Sequence, residues 1–389
     1  MKPLISIVIP TKDRYIYLKE LLSWCRSTFL SKDVEIVVQD NTRENQDIIG
    51  FLEELNDNRV RYFHTKEWLS IVDNCDLGVC NSRGRFVTMI GDDDGILPWI
   101  LEACRWMEAE NYDAYVAPRP HYIWPDVSGG LWSDKLKGSL RLKDYTGKSQ
   151  LVHSKDELSK TLRVAASALG DLPRVYHGIV SRKSLDKLKE LSGSYFPGES
   201  PDMANAIGLA CVIERYIKVD YPVVITGNGY RSTGGEGLRR AHHGRIEDIS
   251  FLPANTSKNW DVRVPFYWSG ITIYAQSAMT ALKRTSNKRI IDNLNLPYLY
   301  AYCLVFELNY FGHTLKIIAA IFGAAPLKYL ELISKVLSLL SLRLAILTKN
   351  YLRTRVLGDR AIAAVDSIGD AAEKVEINLG DVKRPWQKK

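Results

Sequence analysis

The chain reads as an α/β protein, a mostly parallel sheet flanked by helices, with a helical extension at its C-terminal end. Three observations predict this. Short apolar runs alternate with helical patterns of about 10 to 15 residues, the signature of βαβ units. Three of these runs end in compact polar clusters, Thr11–Arg14, Asp40–Thr42 and Asp92–Asp94. Ligands of parallel sheets bind beyond the carboxyl ends of the strands, where strand order reverses, so the three clusters predict one shared site. From about Pro265 onward the pattern is helical.

Taken in order, Leu4–Pro10 is an apolar run stopped by proline, as in a buried parallel strand. A helix is expected from Tyr15 to about Phe29, a second buried strand over Val34–Gln39, a helix over Asn45–Leu55 and a third strand over Val60–His64. Glu67–Asn81 reads as helix, Arg85–Ile90 as the strand that leads to Asp92–Asp94, Trp99–Glu110 as helix and Asp113–Ala117 as strand. Regularity breaks after Pro118, and Pro118–Lys148, rich in Trp, Tyr, Pro and Gly, predicts hairpins or loops. Lys155–Leu169 reads as helix, Tyr176–Ser181 as strand and Arg182–Leu191 as a short helix. Met203–Glu214 reads as an apolar helix, with Ser200 at its cap and Pro201 in its first turn. Tyr216–Thr226 reads as one strand. Three regions result: 1–118, 119–250 and a helical 251–389.

The composition is that of a globular protein with a full core: 389 residues, 46% apolar and 25% charged. The net charge of +7 permits an anionic partner without demanding one. Six scattered cysteines include no Cys-x-x-Cys pair, which predicts reduced, mostly buried thiols. The chain enters a strand at once, so no signal peptide is expected. It has no run of 18 apolar residues, so no spanning helix is expected. Both point to the cytoplasm. Between Leu315 and Arg360, however, eight Lys or Arg face only Glu331 and Asp359, an excess close to the whole net charge. In Leu327–Leu347 the polar residues keep near one stripe among leucines.

The densest chemistry lies in Asp92-Asp93-Asp94. Adjacent carboxylates repel, and burying them is costly without a partner. Three of them at a strand end predict a hard cation, Mg²⁺ or Mn²⁺, that also touches phosphate oxygens. The competing reading is a solvated acidic turn. The glycine-rich Gly227–Gly237, with Arg231, Arg239, Arg240 and Arg245 nearby, can set backbone N–H groups against phosphate or be a plain surface loop. Trp68, Trp124 and Trp132 are candidates for stacking on sugars or for packing.

Ser6-Ile7-Val8-Ile9-Pro10-Thr11-Lys12-Asp13-Arg14 resembles the opening of family 2 glycosyltransferases, a strand followed by Pro-Thr-x-(Asn/Asp)-Arg. Glu35–Thr42 resembles their second strand with its Asp-Asn-Ser/Thr ending. Asn74, then Gly84 before Arg85–Ile90, resembles the stretch before the metal motif, and Asp92-Asp93-Asp94 resembles the DxD site. The elements come in family order over residues 4–98. The likeness weakens across 119–250 and ends there.

The resemblance implies a GT-A fold, a nucleoside-diphosphate-sugar donor, usually uridine-linked, and inversion at the anomeric carbon. It implies a donor site at Pro10, Thr11, Asp13, Arg14, Asp40, Asn74, Asp92 and Asp93, with Asp13 and Asp40 on base and ribose. It further implies Mg²⁺ or Mn²⁺ on the diphosphate at Asp92 and Asp94. Gly91 stands where many members carry an acid, so which two of the three aspartates bind metal stays open. A loop holding Arg231 would close over the donor, with His242 or His243 as candidates to complete the metal shell. Asp202 takes the general base's place at the start of a helix, Glu199 is the runner-up, and a plain preference of acids for helix starts is the competing explanation. The acceptor expected is a hydroxyl of a saccharide or lipid-linked saccharide in surface polysaccharide biosynthesis, with no nucleic-acid partner. The basic tail either covers the fold or lies on an anionic membrane surface, which would make the protein peripheral on the inner face. Two other readings are a sugar nucleotidyltransferase, whose glycines after the first strand are missing here, and a non-catalytic saccharide-binding scaffold, against which intact Asp92, Asp94 and Asp202 speak.

Overall fold

The computed structural model describes residues 2–128, 136–232, 243–355 and 361–387. The first half alternates as predicted: β1 (Ile5–Thr11), α1 (Tyr15–Thr28), β2 (Val34–Asp40), α2 (Gln46–Leu55), β3 (Val60–His64), α3 (Ile71–Asn81) and β4 (Phe86–Met89). The acidic triplet is followed by β5 (Gly95–Ile96), α4 (Ile100–Ala109), β6 (Ala114–Val116), β7 (His121–Ile123), β8 (Ser139–Arg141) and β9 (Ser149–His153). Next come α5 (Ser154–Arg163), β10 (Ile179–Ser181), α6 (Arg182–Ser192), α7 (Pro201–Val212), β11 (Arg215–Val219) and β12 (Val224–Asn228). The remainder contains α8 (Gly270–Arg284), α9 (Leu296–Phe306), α10 (Phe311–Phe322), α11 (Pro326–Arg355), β13 (Ala361–Ile362) and α12 (Ile368–Leu379).

The main sheet has the order β3-β2-β1-β4-β10-β6-β11-β9. β1 pairs in parallel with β2 and β4, in registers that set Thr11 beside Asp40 and Val8 beside Met89. The residues of β1 and β2 are buried apart from part-exposed Pro10, as unbroken apolar runs require when helices cover both faces. The chain steps outward from β1 to β3 and then crosses to the other side of β1 for β4. The crevice beyond the carboxyl ends of β1 and β4 is therefore the switch point. Past β4 the sheet is mixed, because β10 runs antiparallel to β4 and β6, and β9 runs antiparallel to β11. A buried three-residue strand reads the same in either direction, so the sequence carries no sign of this.

Two boundaries differ from the sequence reading for local reasons. The helix expected from Glu67 starts only at Ile71, because Ser70 Oγ accepts the Asp73 N–H at 3.1 Å and caps it. The single strand expected over Tyr216–Thr226 is two strands, parted at the turn that contains Pro222, and they belong to different sheets. β12 joins the second sheet, of order β13-β8-β7-β12-β5, which lies beside the acidic triplet.

Region 251–389 does not behave as one helical unit. α8, α9 and α11 pack with α7 around Met203, Ile207, Met279, Leu299, Leu332 and Leu339. Residues 361–387 instead return to the N-terminal half. β13 pairs with β8, and Ile368, Ala371, Val375 and Leu379 share a core with Tyr17, Leu21, Leu97 and Val224. Trp386 closes it against Trp106 and Tyr221, with ring centres 6.2 and 5.6 Å apart. Among the described residues no single helix is long and apolar enough to cross a membrane.

This packing assigns residues near the C-terminal end of the chain to the stability of the first half. Ile368→Ala, at a fully buried position against Gly95, should lower the unfolding free energy in urea by about 2–5 kcal/mol. Ile377→Ala on the same helix, 78% exposed, should change it by less than about 0.5 kcal/mol.

Candidate active site

The strand β4 delivers its acids into the interior, not into water. Asp92, Asp93 and Asp94 are 0%, 4% and 1% exposed, which rules out the solvated turn. Asp92 Oδ2 accepts Thr11 Oγ1 at 2.6 Å and faces Arg14 Nε at 3.1 Å, while its Oδ1 is buried with no partner. Asp93 Oδ2 accepts the Gly229 N–H at 2.9 Å, and its Oδ1 lies 3.9 Å from Arg14 Nη1. Asp94 is held hardest. Its Oδ1 accepts the Gly227 N–H at 2.7 Å, and its Oδ2 accepts the Gly91 N–H and His177 Nε2, both at 2.6 Å.

These surroundings separate the three acids. Burial, then the neighbouring Asp94, pushes Asp93 up to about 7, against the pull of Arg14. Burial also raises Asp92, opposed by Arg14 and Thr11. Asp94 stays below the ordinary carboxylate value although burial works against it, because His177 and the Gly227 and Gly91 N–H groups stabilise its charge. Arg14 alone does not balance the cluster, so the triplet is short of positive charge.

His177 was not singled out from the sequence, yet it anchors Asp94. Its Nδ1 lies 2.5 Å from Arg119 Nη1. Arginine can only donate, so Nδ1 accepts and Nε2–H donates to Asp94, which assigns a neutral ring. Burial lowers its pKa in the same sense. Its φ of 61° places it in the left-handed region, a conformation residues other than glycine adopt at a cost. The segment is fixed by Met89 N–H to Val175 O and His177 N–H to Met89 O, each 2.9 Å. The one sequence signal was a histidine beside Gly178 at the start of a strand.

A cleft of about 840 Å³ opens over the triplet. Pro10, Thr11, Asp13, Arg14, Asn74, Asp93, Asp202 and Arg231 all line it, together with His177, Arg119, Tyr176 and Tyr274. Asp13 is exposed, at φ 57°, with its N–H on Thr42 Oγ1. Asn74 donates to Thr11 O at 3.3 Å and Gln39 O at 3.5 Å, tying the ends of β1 and β2. Arg231 reaches Asp13 O at 3.4 Å. Asp202 sits in the first turn of α7, after Pro201. Its Oδ1 accepts Ser200 Oγ and the Met203 N–H, and its Oδ2 accepts the Tyr274 hydroxyl. Glu199 also lines the cleft but is buried, with Oε1 on Gln276 and Thr280 and with a pKa raised by burial.

Several expectations need correction. Asp40 does not line the cleft: it is fully buried, with Oδ2 taken by the Tyr15 and Tyr62 hydroxyls at 2.6 and 2.7 Å and Oδ1 by the Thr42 N–H. Asp94 lies under the cleft wall with both oxygens engaged, so Asp93 is the member of the triplet that faces the cleft. The start of the glycine-rich loop turns its N–H groups onto Asp94 and Asp93, not outward to phosphate. A Cβ at Gly227 would lie 1.6 Å from Asp93 O, so only glycine allows that approach. His242, with Arg239, Arg240 and Trp132, lies outside the described residues. His243 pairs with Glu307 at 3.0 Å and does not line the cleft. Trp124 is buried with Nε1 on Asp93 O at 2.8 Å, and Trp68 donates to Ser250 O. Phe251, Trp268 and Tyr274 also line the cleft, so the boundary drawn at 250 cuts through the site.

The raised Asp93 carries a pH signature. In the unfolded chain it ionises near 3.8, and in the fold near 7, so the native state binds more protons between these values. Its contribution to stability is fully present below about pH 3.8 and lost as pH rises through about 7. Metal-free protein should therefore lose stability across this window, and Asp93→Asn should flatten the loss, as followed by thermal unfolding at a series of pH values.

Residues 6–154 match the family model of glycosyl transferase family 2. The chain is 24% identical over 201 residues to the GalNAc(5)-diNAcBac-PP-undecaprenol beta-1,3-glucosyltransferase of Campylobacter jejuni, covering 51% of this chain and 58% of that protein. It is 24% identical over 133 residues to the glycosyltransferase GlyG of Streptococcus pneumoniae, covering 34% and 44%. The chain thus spans about half the length of the curated relatives it matches. Among solved structures, S. aureus TarS 1-349 in complex with UDP-GlcNAc is similar at a TM-score of 0.51 over 82% of this chain and 80% of that one, at 13% identity, a likeness of fold. With its switch-point cleft and its acidic triplet, the chain is similar to glycosyl transferase family 2 over β1 to β9, and it has a GT-A-like fold.

Proposed function

We propose that the protein transfers a sugar, with inversion, from a nucleoside-diphosphate donor to a hydroxyl of a lipid-linked saccharide in surface polysaccharide biosynthesis. One observation carries this reading. A single cleft at the switch point opens over a buried acidic triplet short of positive charge, with Asp93 in its lining, and receives a further carboxylate, Asp202, from the start of α7. The donor and acceptor classes are drawn from the relatives' names: the TarS structure holds UDP-GlcNAc, and the Campylobacter protein is named for a PP-undecaprenol-linked saccharide. A uridine diphosphate sugar is the donor we favour. An acceptor of that kind would bring the enzyme to the inner face of a membrane as a peripheral protein.

The residues fit a divalent ion, Mg²⁺ or Mn²⁺. Asp92 Oδ1 is buried without a partner, and the Asp93 carboxyl borders the cleft with its charge unbalanced. Mg²⁺ is commonly held by one or two carboxylates plus substrate phosphates, which needs no protein cage. We therefore assign Asp92 and Asp93 as its ligands, with Asp94 orienting the loop beneath them. Such an ion supplies positive charge for the diphosphate leaving group. Arg14, already paired to Asp92, and Arg231 at the cleft mouth add donors for the phosphates, and Asp13 lies at the nucleoside end. Asp202 receives the proton of the attacking hydroxyl, while Ser200 and Tyr274 fix its rotamer.

The assay is turnover of a nucleotide-sugar panel with Mn²⁺, including slow hydrolysis when no acceptor is supplied. Asp202→Asn should lower kcat by about 10²–10⁴-fold and leave donor affinity by calorimetry unchanged. Undiminished turnover would move the base elsewhere. Asp93→Asn should instead weaken Mn²⁺-dependent donor binding.

A further inference from the structure

We infer that the outward face of α11 docks this protein on an anionic lipid bilayer. α11 uses one face to pack on α9, through buried Leu332 and Leu339 with Tyr329 and Val336 beside them. The neighbouring face carries Leu330, Ile333, Leu337, Leu340, Leu344 and Leu347. Their spacing keeps all six on one stripe of a helix, about 26 Å long at the usual rise. They are 62%, 55%, 61%, 46%, 67% and 59% exposed. No charged residue interrupts them. Of the 24 large apolar side chains exposed among the described residues, 12 fall between Leu308 and Leu347, so the exposed apolar surface is concentrated on this one segment. A contiguous patch of this kind marks an interaction surface.

Charge selects the occupant. The segment from Leu315 to Arg360 holds eight Lys or Arg and two acids, with Lys316 and Lys328 exposed near the stripe in sequence. A bilayer containing anionic lipid takes the leucines into its interface and is attracted by the net positive charge of the segment as a whole. The same spacing suits a paired helix from a second copy, but that pairing sets two strongly cationic segments against each other. The stripe's flanks at Ser334, Ser341 and Thr348 also lack the opposite charges that fix partner and register in coiled coils. The inference stands on this face alone and does not depend on the transferase reading.

The test is co-sedimentation of the full chain with phosphatidylcholine vesicles, with and without phosphatidylglycerol. Wild-type protein should bind the anionic vesicles, bind the neutral ones less, and release with added salt. Leu337→Glu with Leu344→Glu, both at exposed positions, should weaken vesicle binding by roughly tenfold or more with an unchanged thermal transition. Leu337→Ser with Leu344→Ser serves the same purpose should the charged pair fold poorly. Absence of vesicle binding by the wild type, or equal binding by the variants, overturns the inference. So does a wild-type dimer by light scattering that the variants convert to monomer without any vesicle binding, since that assigns the face to a second copy.

Discussion

The structure depends on holding three adjacent carboxylates inside the protein at the end of β4. Buried acids are tolerated only with donors or cations at hand, and each acid here recruits a different part of the chain. Asp92 binds the β1 end through Thr11 and Arg14, Asp93 binds Gly229, and Asp94 binds Gly227 and His177. The ends of β1, β4 and β12 and the turn before β10 are thus fixed to one another by the needs of one tripeptide. The left-handed backbone at His177 and the missing Cβ at Gly227 are local costs of that arrangement.

The division of labour within the triplet follows from depth. Asp94 is satisfied and stays ionised, so it acts as a strut. Asp93 borders the cleft and resists ionisation, so added positive charge there is met by a favourable change in protonation. Arg14 supplies part of that charge permanently. Under the proposed function, a divalent ion and its phosphate ligands would relieve an imbalance that folding leaves in place.

The other side of the cleft is assembled from later sequence. Asp202 is presented by α7, whose start is held by Ser200 N–H on Ser277 Oγ at 2.8 Å and by Tyr274, both partners on α8. α8 in turn shares its core with α9 and, through it, with α11. The proposed base and the proposed membrane face therefore lie on one packed helical unit. Residues 361–387 leave that unit and complete the core of the first half, which clasps the two parts together.

The sequence by itself determined the local features. The βαβ alternation over residues 4–110 was legible because a buried strand and a half-buried helix impose different apolar periods. The strand-end clusters at Thr11–Arg14 and Asp92–Asp94 were legible because like charges beside an apolar run have few stable explanations, and the family resemblance followed from the same residues. The tertiary structure decided which of these side chains face the cleft. Asp40 and Asp94 carry the same carboxylate as Asp93, but two tyrosine hydroxyls bury one and His177 with two backbone N–H groups buries the other. It also decided that Arg119, His177 and Tyr274 belong to the site and that the glycine loop grips the acids. These are pairings across 58 to 136 residues of chain. Periodicity and spacing report on neighbours along the chain, and such contacts are set only when separate cores pack.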